Sequence, residues 1–297
     1  MKKHFFVFGI FAILFYACNN KASIENLTIS KENNSRPKTP KAEGKLRILF
    51  IGNSHLEYFV SAPVLFHEIC QANNQPMNID CLVTFGDSID KIFENLKTDV
   101  RVNFAETDKD GNYYDYVIIQ EAIPVALTDP DKYKADVKMV VEKIRKNSPD
   151  VTIYIYEGMP PTLFTDPDYK KYYTEMRKNA VSVTKATKNA HLIKIADAIN
   201  DAYNGKNNYL YLVENKDNLR FCEDDLLFGE NTLHLLNDGG FMQAVLTYAT
   251  IFDKKPTIPK ELTLNTETGN TIDKKRQEVN KVISNPKALV EIAYNNR

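Results

Sequence analysis

Two side chains in this chain of 297 residues have the types and surroundings that acyl transfer requires. Ser54 follows Ile51-Gly52-Asn53 at the end of an apolar run, and His234 lies in Leu233-His234-Leu235, shortly before Gly239-Gly240. Acyl transfer needs a nucleophile, a base that takes its proton, and donors aimed at the tetrahedral oxyanion. Ser54 offers the hydroxyl and His234 the imidazole. The backbone N–H groups of Ser54 and Gly86 are the candidate donors, because a glycine after a strand lets the main chain approach a substrate closely. The plain alternative for Gly-Asn-Ser is a serine that only caps the next helix.

These groups need a scaffold that delivers them to one place. Leu46 to Ile51 reads as a first buried strand and Met77 to Val83 as a second. Tyr114 to Ile119 reads as a third, Val151 to Tyr156 as a fourth and His191 to Ile195 as a fifth. Helical periodicity lies between them, over Ala62 to Asn73, through Ile89, Ile92, Phe93 and Leu96, over Pro130 to Lys146 and over Tyr169 to Thr187. A further amphipathic helix spans Phe241 to Phe252. Strands alternating with helices predict a three-layer α/β/α sandwich with a mostly parallel five-stranded sheet of flavodoxin-like order. Right-handed crossovers then bring every strand's carboxyl end, and with it Ser54, Gly86 and Gln120-Glu121-Ala122, to one edge. Residues 201 to 230 read as a long loop near that edge. From Pro256 onward helical segments are expected on the outside, with Lys274-Lys275-Arg276 as a solvated helix face.

The beginning of the chain has another character. Lys2 and Lys3 precede an uninterrupted apolar run, Phe5 to Ala17, too short to span a bilayer comfortably, so residues 1 to 17 read as a signal peptide. Leu14-Phe15-Tyr16-Ala17-Cys18 resembles a bacterial lipobox, which makes Cys18 the expected lipidation site and implies export and anchoring to the cell envelope, the outer membrane first. Residues 18 to 45 are rich in Asn, Lys and Ser and form the expected tether. Without Lys2 and Lys3 the chain carries 36 basic against 39 acidic residues, a balance with no nucleic-acid footprint. With Cys18 lipidated, Cys70, Cys81 and Cys222 remain, an odd number that does not make a disulfide framework. Asp108 to Asn112 lacks the ligand spacing of a calcium loop and reads as a solvated turn.

Taken together, these blocks resemble the SGNH (GDSL-like) hydrolases, in a branch common among exported bacterial proteins, over about residues 46 to 257. Phe50-Ile51-Gly52-Asn53-Ser54-His55 is similar to the branch's Gly-Asn-Ser start. Phe85-Gly86-Asp87-Ser88 resembles the turn whose glycine gives an oxyanion N–H, and Val117-Ile118-Ile119-Gln120-Glu121 resembles its third block. Thr232-Leu233-His234 through Gly240 resembles the histidine block. The resemblance implies a serine esterase with Ser54 and His234 as catalytic pair, no metal or organic cofactor, and a small-molecule or glycan ester as substrate, carbohydrate O-acetyl esters first. Residues 258 to 297 would be an extension packed on that domain.

Two positions depart from the family pattern. An Asp stands three residues before the family His, where this chain has Asn231; Glu230, Asp224 or Asp225 could serve instead, or a Ser–His dyad could act alone. An Asn or Gln amide usually joins the oxyanion hole where this chain has Ala122, and Gln120 is the candidate replacement. Both departures keep a second reading open, a glycan-binding lipoprotein of the same fold with little or no catalysis. His55, His67 and His191 read as helix-start or packing residues, whereas Tyr154, Tyr156, Tyr172 and Tyr173 could line a sugar cleft or simply pack.

Overall fold

The structure, a computed structural model, describes residues 45–95, 104, 106–108, 113–209, 219–223, 232–265 and 274–297. Residues 1 to 17, Cys18, most of the tether, Asp224, Asp225, Glu230 and Asn231 lie outside the described residues.

The sheet has five strands, β1 (Leu46–Gly52), β2 (Met77–Val83), β3 (Tyr116–Gln120), β4 (Thr152–Tyr156) and β5 (Ala190–Ile193), all parallel in the order β2-β1-β3-β4-β5. Every residue of β1, β3, β4 and β5 is buried, as expected of strands covered by helices on both faces. Alternation divides β1 between two cores. Ile48 and Phe50 meet Leu65, Phe66 and Ile69 of α2 (Ala62–Ala72) on one face. Leu49 and Ile51 meet Ile92 of α3 (Ile89–Asn95) and Val137, Val140 and Ile144 of the helix Pro130–Arg145 on the other. The expected three-layer sandwich is present.

The order reverses direction between β1 and β3. In open α/β sheets this switch point leaves a crevice beyond the strand ends, between loops that diverge to opposite faces. Ser54 begins a four-residue helix, Ser54–Glu57, at that crevice.

Several elements differ from expectation. The third strand starts at Tyr116, two residues after the expected Tyr114; Asp115 just before it accepts the Arg47 N–H on its carboxylate at 2.9 Å. The region read as a long loop contains the strand Arg220–Glu223, antiparallel to the strand Thr232–Leu235 that carries His234. The following helix begins at Asn237, four residues before the expected Phe241.

The last stretch is not wholly helical. Glu261–Asn265 and Lys274–Glu278 form an antiparallel hairpin, so the Lys274-Lys275-Arg276 run is a strand rather than a helix face. Leu262 and Leu264 are fully buried, the alternation of a half-covered strand, while Glu68 accepts from Thr263 N at 2.8 Å and pairs with Arg276 at 2.7 Å. Lys274 Nζ donates to the Glu57 carbonyl at 2.9 Å, which fastens the hairpin to the short helix of Ser54. The closing helix Pro286–Asn295 does match the helical expectation, and its Leu289, Ile292 and Ala293 join the core shared with α2.

Candidate active site

Asn53 sets the local geometry of Ser54, the candidate nucleophile. It caps the Ser54–Glu57 helix by accepting the His55 N–H at 3.3 Å, and it leaves Ser54 half-buried on the first turn. His234 approaches from a strand 180 positions later and places Nε2 3.0 Å from Ser54 Oγ. That separation lies within hydrogen-bonding reach, so a proton can pass from the hydroxyl to the ring as the oxygen attacks.

Rings hold the imidazole, which is only 4% exposed. Tyr58 stacks on it with centroids 4.2 Å apart at 16°, His55 lies at 5.1 Å and 26°, and Phe59 meets it edge-on at 6.0 Å. Tyr58 also contacts Phe85 at 5.6 Å, and Phe85 is 52% exposed, which puts an open aromatic face at the rim. His55 therefore belongs to the site's packing, in keeping with its expected role. His67 bonds Gln71 at 3.2 Å on the surface, and His191 packs near Tyr154, so neither joins the pair. The residues expected to partner the other nitrogen of His234, Asn231 and Glu230, lie outside the described residues.

Gly86 sits on the turn that follows β2. Its φ of +77° is a left-handed conformation that glycine adopts without strain, and the turn is closed by Asp87 N donating to Thr84 O at 3.4 Å. Two bonds place this turn beside Ser54. Thr84 N donates to Gly52 O at 3.1 Å, and Asn53 Nδ2 donates to the Asp87 carbonyl at 3.3 Å.

Gln120 departs from its expected role as an oxyanion donor. The side chain is 1% exposed, its Oε1 accepts the Asn53 N–H at 2.9 Å and its Nε2 donates to the Glu121 carbonyl at 2.5 Å. The amide joins the ends of β1 and β3 and is buried beneath the site instead of facing it. Gly52 is required for that contact, since a β-carbon there would stand 2.7 Å from Gln120 Oε1.

The tyrosines divide in the same way. Tyr154 and Tyr156 are buried in the core and Tyr173 is nearly so, which removes them from a sugar cleft; Tyr172 is half-buried on its helix.

Two buried carboxylates, neither of them assigned a role from sequence, follow the strands at this edge. Glu121 accepts the N–H groups of Ile89 at 3.1 Å and Ala122 at 2.7 Å; burial first, with Asp136 adding, pushes its carboxyl up to about 8. Glu157 pairs with Arg177, whose Nη2 also lies 2.6 Å from Asp197; burial pushes Glu157 up to about 7 against the downward pull of Arg177. The signal for both was their place directly after a buried strand. Among the described residues no group of three or more His, Cys, Asp or Glu side chains is arranged to hold a metal ion.

No protein-family model and no curated protein sequence matches the chain. Among solved structures it is similar to a DUF4886 family protein from Bacteroides uniformis, at 16% identity and a TM-score of 0.53 over 85% of this chain and 94% of that one. A candidate SGNH hydrolase from Slackia heliotrinireducens aligns at 17% identity and a TM-score of 0.47, over 70% of this chain and 100% of that one. An acetylxylan esterase from Geobacillus stearothermophilus aligns at 16% and 0.49, over 70% of this chain and 95% of that one. What is shared with the first of these is the fold, a parallel five-stranded sheet between layers of helices.

Proposed function

We propose that the protein is a serine esterase in which Ser54 attacks an ester carbonyl and His234 Nε2 takes the hydroxyl proton. The 3.0 Å contact between Ser54 Oγ and His234 Nε2, across 180 residues of sequence, carries the reading. The proton moves to the departing alcohol, leaving an acyl group on Ser54. Water then attacks that acyl-enzyme with His234 as base, releasing the acid. The backbone N–H groups of Ser54 and Gly86 are the proposed donors to the oxyanion. The substrate class is a small-molecule or glycan ester, with carbohydrate O-acetyl esters preferred. The exposed ring of Phe85, packed against the Tyr58 that stacks on His234, suits the apolar face of a sugar.

Ser54→Ala is expected to lower kcat on p-nitrophenyl acetate and on acetylated oligosaccharides by about 10⁴-fold to 10⁶-fold. Equal rates in the two proteins would remove Ser54 as nucleophile. The burial of Gln120 favours the second reading, a glycan-binding protein with little catalysis, because the amide expected to replace the family donor is turned inward to Asn53 N. Binding of acetylated oligosaccharide by both proteins, with turnover by neither, would establish it.

The proposed address is the cell envelope, outer membrane first, through lipid on Cys18. Labelled palmitate is expected in the wild type and not in Cys18→Ala; label in both proteins excludes this anchor.

A further inference from the structure

The groups around Ser54 close a ring of hydrogen bonds. Asn53 N donates to Gln120 Oε1 at 2.9 Å, Gln120 Nε2 to Glu121 O at 2.5 Å, and Ile89 N to Glu121 Oε1 at 3.1 Å. Two residues back from Ile89, the carbonyl of Asp87 accepts from Asn53 Nδ2 at 3.3 Å, which completes the circuit. The Gly86 turn is thus held on one side by Asn53, next to the nucleophile, and on the other by Glu121.

Glu121 is 2% exposed, and the charges around it argue for its neutral form. From the helix Pro130–Arg145, Lys132 pairs with Asp136 at 2.7 Å and with Asp90 at the start of α3 at 2.6 Å, so two acids already share one cation. The buried phenol of Tyr133 adds no positive charge, and Glu157 beyond it is a further acid. Asp136 is a second acid near enough to push the Glu121 carboxyl up, and a buried carboxylic acid beside a like charge keeps its proton. No N–H or O–H group of another described residue reaches Glu121 Oε2, which is where that proton fits.

We propose that Glu121 is a positioning residue for the esterase reaction, a neutral carboxylic acid that fixes the Gly86 turn so that its N–H meets the oxyanion. The inference rests on the Ser54–His234 reading. Above about pH 8 Glu121 loses its proton against Asp136, the like charges repel, and the turn loosens. No covalent step is involved; only the donor geometry changes.

The test measures kcat and KM for p-nitrophenyl acetate from about pH 6 to about pH 10, with the wild type, Glu121→Gln and Glu121→Ala, alongside the Gly86 amide shift by NMR. Glutamine copies the neutral acid, accepting the two N–H groups and carrying no charge beside Asp136. The wild type is expected to lose kcat with a midpoint near pH 8, with the Gly86 amide shifting over the same range. Glu121→Gln should keep kcat within about threefold near neutrality and lack both changes. Glu121→Ala should lower kcat by about 10²-fold to 10³-fold, the effect of one lost oxyanion donor, with KM nearly constant. The same alkaline midpoint in wild type and Glu121→Gln overturns the proposal, and that comparison stands even where the alanine variant does not fold. Hydrolysis that is unchanged in Ser54→Ala overturns the esterase reading alone. The Gly86 amide then decides the role of Glu121 in holding the turn, since its pH response needs no turnover.

Discussion

Glu121 and Glu157 occupy equivalent places on neighbouring units of the fold: each directly follows a fully buried strand, β3 or β4, and each is itself buried. Their partners differ. Glu157 faces the guanidinium of Arg177, which is 2% exposed and shared with Asp197, and the Tyr173 hydroxyl adds a bond to Asp197. Glu121 faces backbone N–H groups and another acid. One carboxyl belongs to an ion cluster that joins β4 to the helices Tyr169–Ala186 and Ile195–Tyr203. The other serves as a neutral bracket for a turn beside the nucleophile. Burial alone therefore does not assign a role to a carboxylate after a strand; its counter-groups do.

The comparison can be broken most directly at Arg177. Arg177→Ala leaves Glu157 and Asp197 buried without their cation, and denaturant unfolding should show a loss of about 3–5 kcal/mol, the usual effect of removing one partner of a buried pair. kcat per folded molecule should change far less than in Glu121→Ala. A large loss of kcat at unchanged stability would mean that the cluster serves catalysis and that the two carboxyls do not differ as argued.

A smaller effect sharpens the contrast. Both groups have folded-state values raised above that of an exposed carboxylate, so each binds a proton on folding. Stability from such a group is fully present below the unfolded value, about 4.3, and is lost as pH rises through the folded one. The folded values are about 7 for Glu157 and about 8 for Glu121. The decline in unfolding midpoint between about pH 7 and about pH 8 is therefore expected to persist in Glu157→Gln and to be reduced in Glu121→Gln. Equal declines in both variants would count against a neutral Glu121.

Much of this arrangement was legible from residue order. The five strands showed as apolar runs, and Gly52-Asn53-Ser54 after the first of them marked the carboxyl edge of the sheet; the reversal of strand order there came from the structure. The strand Arg220–Glu223 was not legible, because four residues of mixed polarity carry too little periodicity. The hairpin was missed, because the stretch reads as helical. Glu261-Leu262-Thr263-Leu264-Asn265 alternates as a strand should, but its partner Lys274–Glu278 is polar throughout and owes its strand form to pairing. Gln120 was assigned by its type to the oxyanion, and only the three-dimensional structure shows the amide turned inward to Asn53 N. The place of Glu121 after a buried strand was its one sequence signal, and the bracket itself was not legible, since it depends on the Ile89 N–H brought in from a distant part of the chain.

The 180 positions between Ser54 and His234 bear on timing as much as on geometry. The proposed nucleophile is specified early in the chain, its proposed base lies on a separate two-stranded sheet much later in the chain, and Lys274 braces the short serine helix from later still. Contacts of such separation close slowly, because the intervening chain must first be ordered. Until they close, Ser54 is an ordinary hydroxyl without a base. In the proposed reaction, reactivity is thus a property acquired late in folding, and a partly folded chain presents a serine with no base beside it.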